Sequence, residues 1–194
     1  MTYVLDTETT GLGNHPTFGH PQVIELAYIK LPTLRDIEGF LNNHTDYIKY
    51  TERFKPSISI HKQASEIHGI YFKDVLKCRK SEDIQLPSME YMVGHNIQYD
   101  HRCLGKPNVK LICTQQLAKK IDKHFGVGFP NVKLEGLVSY FNPSYNHGNY
   151  HKALEDCAKT IYVLFSLLKF IPGITTWDEL YEFQVTLKGK KNGK

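Results

Sequence analysis

The chain opens with a short apolar strand, Tyr3-Val4-Leu5, that runs into a turn carrying Asp6 and Glu8. Alternate side chains of an extended backbone share a face, so the two carboxylates point the same way. A Gly/His/Pro-rich loop, Gly13 to Pro21, precedes the apolar run Val23 to Ile29, which reads as a central strand. The alternating segment Asp46 to Phe54 follows closely enough that these three strands should form an antiparallel meander. Ile60, Ala64 and Ile67 recur at helical spacing before Gly69, predicting a helix from Ser59, and a short second helix covers Phe72 to Leu76.

Glu90 to Gly94 and Lys110 to Cys113 read as further strands. A helix after the first should set Asn96 and Asp100 one turn apart, and Thr114 should cap a helix through Lys120 after the second. Leu134, Leu137 and Val138 mark one side of a helix over Lys133 to Phe141. A turn-rich loop, Asn142 to Asn149, then opens a long helix, Lys152 to Phe170, with a core stripe of Leu154, Ala158, Ile161, Phe165 and Leu168. Pro172-Gly173 breaks it, and Thr176-Trp177-Asp178-Glu179 is a capping box that starts a final helix. Meander first and strand–helix alternation afterwards predict an α/β domain with a mixed sheet.

Composition changes this picture little. A hydrophobic content of 41% and a charged content of 23% suit a globular protein with a sizeable core. The run Ile161 to Ile171 is interrupted by Ser166 and Lys169, so no membrane span is expected. The N-terminus carries no secretory pattern, and Cys78, Cys103, Cys113 and Cys157 show no CxxC spacing. Free thiols in a reducing cytoplasm follow from that, not a zinc site.

Charge is more informative, because the net +4 is unevenly spread. Residues 1–48 hold two basic and six acidic side chains, whereas residues 101–133 hold seven basic and one acidic. Residues 49–80 carry eight basic and three acidic side chains, and the tail from Lys188 adds four lysines. An acidic pocket flanked by basic segments suits a metal-dependent enzyme acting on a polyanion.

Two carboxylates aimed at one spot repel unless a cation lies between them, and oxygen ligands favour Mg²⁺ or Mn²⁺. Asp-x-Glu alone is a weak signal, and a second copy at Asp36-Ile37-Glu38 reads as a solvated turn. His95–Asp100 and His151–Asp156 both fit His-x-x-x-x-Asp. The weight comes from order and context. Asp6 and Glu8 end the first strand, Gly94-His-Asn-Ile-Gln-Tyr-Asp100 opens a helix after a later strand, and His151-Lys-Ala-Leu-Glu-Asp156 opens the long helix.

These three segments resemble the motifs of the DEDDh branch of the DnaQ-like 3′→5′ exonucleases, with the exonuclease X group nearest. The resemblance extends to Thr9-Thr10-Gly11-Leu12 and to Ile67-His68-Gly69-Ile70, and it spans roughly Tyr3 to Ile171. It implies a ribonuclease H-like, mixed five-stranded sheet flanked by helices. An exonuclease domain over residues 1–173 would then be followed by a helix and basic tail over residues 174–194. Asp6, Glu8, Asp100 and Asp156 would bind two Mg²⁺ or Mn²⁺ ions, and His151 would take a proton from water. His147, in the same loop, is the alternative base. Thr9, Thr10 and Gly11 would hold the 3′-terminal nucleotide, Leu12 would wedge beside its base, and Asn96 and Tyr99 would line the cleft. Histidine at 151, with lysine at 152, marks the histidine variant.

The function expected is release of nucleoside 5′-monophosphates from the 3′ end of single-stranded or frayed DNA by a cytoplasmic enzyme. An exoribonuclease or oligoribonuclease of the same fold is one alternative. A proofreading subunit that docks on a polymerase or replication partner and mainly holds a 3′ end is the other. His68 and His95 read as structural residues rather than ligands.

Overall fold

The computed structural model describes residues 1–13, 19–42, 48–145 and 152–186. At its centre lies strand β1, Thr2–Thr9, which continues through both carboxylates instead of ending ahead of them. It pairs antiparallel with β2, Val23–Leu31, which pairs antiparallel with β3, Lys49–Lys55. On its other side β1 runs parallel to β5, Tyr91–Gly94, and β5 parallel to β6, Lys110–Cys113.

The expected five strands become six. A two-residue strand β4, Arg79–Lys80, lies parallel to β3 at the sheet edge, giving the order β4-β3-β2-β1-β5-β6. No apolar alternation marks β4, because both its residues are exposed. An ion pair fastens it instead. Arg79 donates to both carboxylate oxygens of Glu52 on β3, at 2.7 and 2.6 Å.

Eight α-helices and two 3-10 turns, Leu34–Asp36 and Ser81–Asp83, complete the described residues: α1 (Ile37–Asn42), α2 (Lys62–His68), α3 (Phe72–Val75), α4 (Gln98–Cys103), α5 (Thr114–Phe125), α6 (Leu134–Phe141), α7 (Ala153–Leu168) and α8 (Trp177–Thr186). The period-two pleat sorts β1 between two cores. Val4 joins Ala27, Val93 and Ile112 beneath α5, α6 and α7. Leu5 faces the other way, against Met92, Ile97 and Cys103 beside α4. With helices on both faces, the central strands read as continuous apolar runs.

Several local expectations shift for physical reasons. The buried face of α7 follows Ala153, Cys157, Thr160, Ile161, Leu164 and Leu167, while Ala158 is exposed. Apolar residues occur nearly all round this helix, so periodicity alone leaves its rotation open. Helix α2 starts at Lys62 and buries Ser65 and His68 instead of Ile67, which is 50% exposed. Its left-handed Gly69 donates to the Ser65 carbonyl at 2.8 Å and stops it. Asn96 lies outside α4 in the left-handed region, φ 60°, and is exposed. Thr114 is the first residue of α5 rather than its cap, and its hydroxyl donates to the Gly94 carbonyl at 3.3 Å.

Helix α8 closes the far edge of the sheet. Its capping box is formed: Glu179 accepts from the Thr176 N–H at 3.0 Å, and Thr176 Oγ1 accepts from the Glu179 N–H at 3.2 Å. Further along, the Gln184 amide accepts from the Cys113 N–H at 2.7 Å and donates to the Leu111 carbonyl at 2.9 Å. One side chain thus satisfies backbone groups of β6 that a neighbouring strand would otherwise seek.

Candidate active site

Because β1 alternates faces, Val4, Asp6 and Glu8 share the side packed by α7, and Thr7 points to the side of α4. The first turn of α7 carries Asp156 directly over the end of β1. One oxygen each from Asp6, Glu8 and Asp156 lies within 4.8 Å of the others. Asp100 arrives from the opposite face on α4 and stands outside that set. It is held to the strand by Thr7, whose N–H and hydroxyl donate to the same Oδ1 at 3.0 and 2.6 Å.

The electrostatics of this cluster follow from crowding. Burial, then the charges of Asp100, Glu8 and Asp156, push the Asp6 carboxyl well above its usual range, while Lys159 opposes them. Burial also pushes Asp100 up to about 7, against the two hydrogen bonds from Thr7. Hard oxygen donors, mutually repelling and enclosed, are a donor set matched to divalent cations of the Mg²⁺ or Mn²⁺ kind. All four residues therefore fit such ions chemically.

Supporting residues fix the frame. Glu25 on β2 lies opposite Glu8 in the strand register, accepts from Arg53 at 2.9 Å, and takes the Ala153 N–H at the start of α7 at 3.3 Å. A carboxylate there suits the helix dipole and seats the turn that carries Asp156. Gly94, the last residue of β5, has Ile97 Cδ1 2.5 Å from where a Cβ would stand, so a larger residue would displace the approach to Asp100. His95 bonds Thr114 Oγ1 through Nδ1 at 2.9 Å, and burial lowers its pKa to about 4. His68 accepts from the Ile70 N–H at 3.0 Å within its own turn.

Next to the carboxylates runs a cleft lined by Glu8, Thr9, Gly11, Leu12, His61 and Tyr99, among others. The loop after β1 is tied down on three sides. Tyr99 Oη donates to the Gly11 carbonyl at 2.6 Å, Thr9 Oγ1 donates to the same oxygen at 3.0 Å, and His61 N–H reaches the Thr10 carbonyl at 2.8 Å. Gly11 has φ 154°, and a Cβ there would come within 3.0 Å of the His61 ring. Leu12, held at the mouth of this loop, is 80% exposed. It is not part of the core. Ile67 lines the same cleft, which explains why an apolar residue of α2 faces outward. Asn96 is not among these lining residues, but its carbonyl accepts from the N–H of Tyr99, which is, at 2.9 Å. His151 and His147 lie outside the described residues.

A family model for exonucleases of the RNase T type matches residues 3–164. The chain belongs to this exonuclease family. Among its relatives is exodeoxyribonuclease 10 of Escherichia coli, 26% identical over 176 residues that cover 87% of this chain and 69% of that protein. Solved structures agree on the DnaQ-like, ribonuclease H-like fold. Exonuclease X in complex with 5′ overhanging duplex DNA superposes with a TM-score of 0.69 at 23% identity, covering 95% of this chain and 99% of that one. The nuclease domain of 3′hExo, a DEDDh family member bound to rAMP, gives 0.62 at 13% identity, over 87% and 91% of the two chains. Thr7, Glu25 and Lys159, which bond Asp100, the Ala153 N–H and Asp156 respectively, are neighbours of the cluster that motif reading passes over. Of the three, only Lys159 leaves a trace in sequence, as a lysine one helical turn beyond Asp156.

Proposed function

We propose that this chain is a divalent-metal-dependent 3′→5′ exonuclease that releases nucleoside 5′-monophosphates from single-stranded or frayed DNA ends. The observation that carries the reading is the convergence of Asp6, Glu8 and Asp156 oxygens within 4.8 Å of one another, with Asp100 clamped beside them. In this reading these four carboxylates would hold two Mg²⁺ or Mn²⁺ ions. When bound, such ions supply Lewis-acid stabilisation to the charge that builds on the scissile phosphate.

The chain's own residues then divide the remaining work. His151 accepts the proton of the attacking water, a task suited to an imidazole. Thr9, Thr10 and the Gly11 backbone hold the terminal nucleotide, and Leu12 packs beside its base. Tyr99 acts through the loop it anchors: burial keeps its phenol protonated, so it remains a donor to Gly11. DNA is favoured over RNA by the likeness to exodeoxyribonuclease 10. The exonuclease domain is taken to cover residues 1–173, with the segment from 174 as an appended helix and basic tail, in a cytoplasmic enzyme. A binding-only subunit would have no use for the full carboxylate set.

The test is digestion of 3′-labelled and 5′-labelled DNA and RNA oligonucleotides with Mg²⁺, Mn²⁺ or chelator, for wild type and Asp6→Asn. Mononucleotide release from DNA 3′ ends that needs metal and Asp6 supports the reading. Equal activity in chelator, or full activity of the variant, refutes it.

A further inference from the structure

One buried cation stands inside this anionic cluster. Lys159, one helical turn beyond Asp156 on α7, is 7% exposed, and its ammonium lies 2.6 Å from Asp156 Oδ1. Lysine is among the residues least often buried, because its charge loses its hydration there. Burial by itself would lower the ammonium's pKa, but the hydrogen bond and charge of Asp156, with Glu135 and Tyr145 also facing it, raise it instead. The Lys159 ammonium is ion-paired with Asp156 among groups that repel one another.

We propose that Lys159 is a built-in counter-cation, a positioning residue that holds Asp156 by its Oδ1 and competes with divalent metal for that carboxylate. The proposal rests on the reading of Asp6, Glu8, Asp100 and Asp156 as a metal site. Four carboxylates crowd one end of β1, and Lys159 supplies a counter-charge to one of them without any ion from solution. The same bond opposes loading. An ion drawn to Asp156 must share or displace an ammonium bonded to it, and it feels the repulsion of that ammonium at close range. Lys159 thus trades affinity for divalent cations against integrity of the site at low metal. Its place on the rigid inner face of α7, beside buried Thr160 and Cys157, leaves the side chain little freedom to swing into solvent.

The test compares the full chain with its Lys159→Met and Lys159→Arg variants by Mn²⁺ titration calorimetry and by thermal melting in chelator and in saturating Mn²⁺, without nucleic acid. Lys159→Met is expected to bind Mn²⁺ about tenfold more tightly, within the ordinary range of coupling between neighbouring sites. Its melting temperature should fall more in chelator than in saturating Mn²⁺, and Lys159→Arg should stay near wild type in both measurements. Unchanged or weaker Mn²⁺ binding by Lys159→Met, with equal loss of melting temperature in both conditions, would overturn the proposal and leave Lys159 a packing residue. Should the methionine variant fail to fold, Lys159→Gln keeps a donor toward Asp156 and is read by the same criteria. A wild-type chain that binds no Mn²⁺ would overturn the metal-site reading itself, whereas wild-type binding lost in Asp6→Asn but unaffected at Lys159 would overturn this proposal alone.

Discussion

Thr7 grips Asp100 twice through a single oxygen: its N–H and its hydroxyl reach Oδ1 at 3.0 and 2.6 Å, across 93 residues of chain. The clamp joins the edge of β1 to a helix on the opposite face from Asp156. It is how a strand whose side chains alternate can gather carboxylates from both sides. Outer-shell partners of this kind typically change metal affinity or activity by about 10–100-fold. We expect Thr7→Val, which keeps the shape and removes one donor, to weaken Mn²⁺ binding and turnover by about tenfold while leaving the melting temperature in chelator nearly unchanged. Calorimetry and mononucleotide release measure both. Wild-type affinity in the variant would show that Asp100 needs no such anchor.

Asp100 also ties stability to pH. Burial raises its carboxyl to about 7, above the unfolded value near 3.8. A raised folded pKa contributes stability that is fully present below the unfolded value and is lost as pH rises through the folded one. In chelator, the melting-temperature difference between wild type and Asp100→Asn should therefore shift against wild type between about pH 4 and 7. Added Mn²⁺ should stabilise wild type more at pH 8 than at pH 5.5, because its ligands must shed protons to bind. A metal response independent of pH would contradict the raised pKa.

His95 runs the other way in the same window. Burial lowers it to about 4, below the ordinary 6.5, and its Nδ1 pairs with Thr114. A depressed histidine stabilises the fold above the unfolded value, and that contribution drains away as pH falls from 6.5 toward 4. His95→Gln should flatten the acid side of the melting-temperature profile by this amount. A profile of unchanged slope would place the titrating group elsewhere.

Gln184 offers a test of the closing helix. Its amide satisfies one N–H and one carbonyl of β6, so Gln184→Ala leaves two partly buried backbone groups to find other partners. A cost of about 1–3 kcal/mol is expected for groups left in this way, measurable by chemical denaturation. Activity at low temperature should be kept, because β6 lies two strands from the carboxylates of β1.

For the proposed general base, His151→Ala should lower turnover by about 10²-fold or more, the usual scale for losing such a group. Mn²⁺ binding should be largely preserved, which separates the proton-transfer role from a ligand role. An unchanged rate would hand the role to His147 or to solvent.

The chain by itself determined most of the elements and their order, though not β4 or α1, whose start at Ile37 is buried where Asp36-Ile37-Glu38 reads as a solvated turn. Val23 to Ile29 could only be a central strand, Gly69 could only stop a helix, and Thr176 with Glu179 wrote their own cap, because each depends on neighbours within a few residues. The order of the acidic motifs carried the family for the same reason. Tertiary structure decided what depends on distant partners. The rotation of α7, which buries Cys157 and leaves Ala158 outside, follows from the sheet it lands on. The edge strand β4 exists because Arg79 finds Glu52. The outward turn of Ile67, the grip of Thr7 on Asp100 and the burial of Lys159 beside Asp156 are likewise set by segments far apart in sequence. Local propensity acts over one or two turns, whereas charge and packing act through space, and no periodicity in the sequence records which charges will meet.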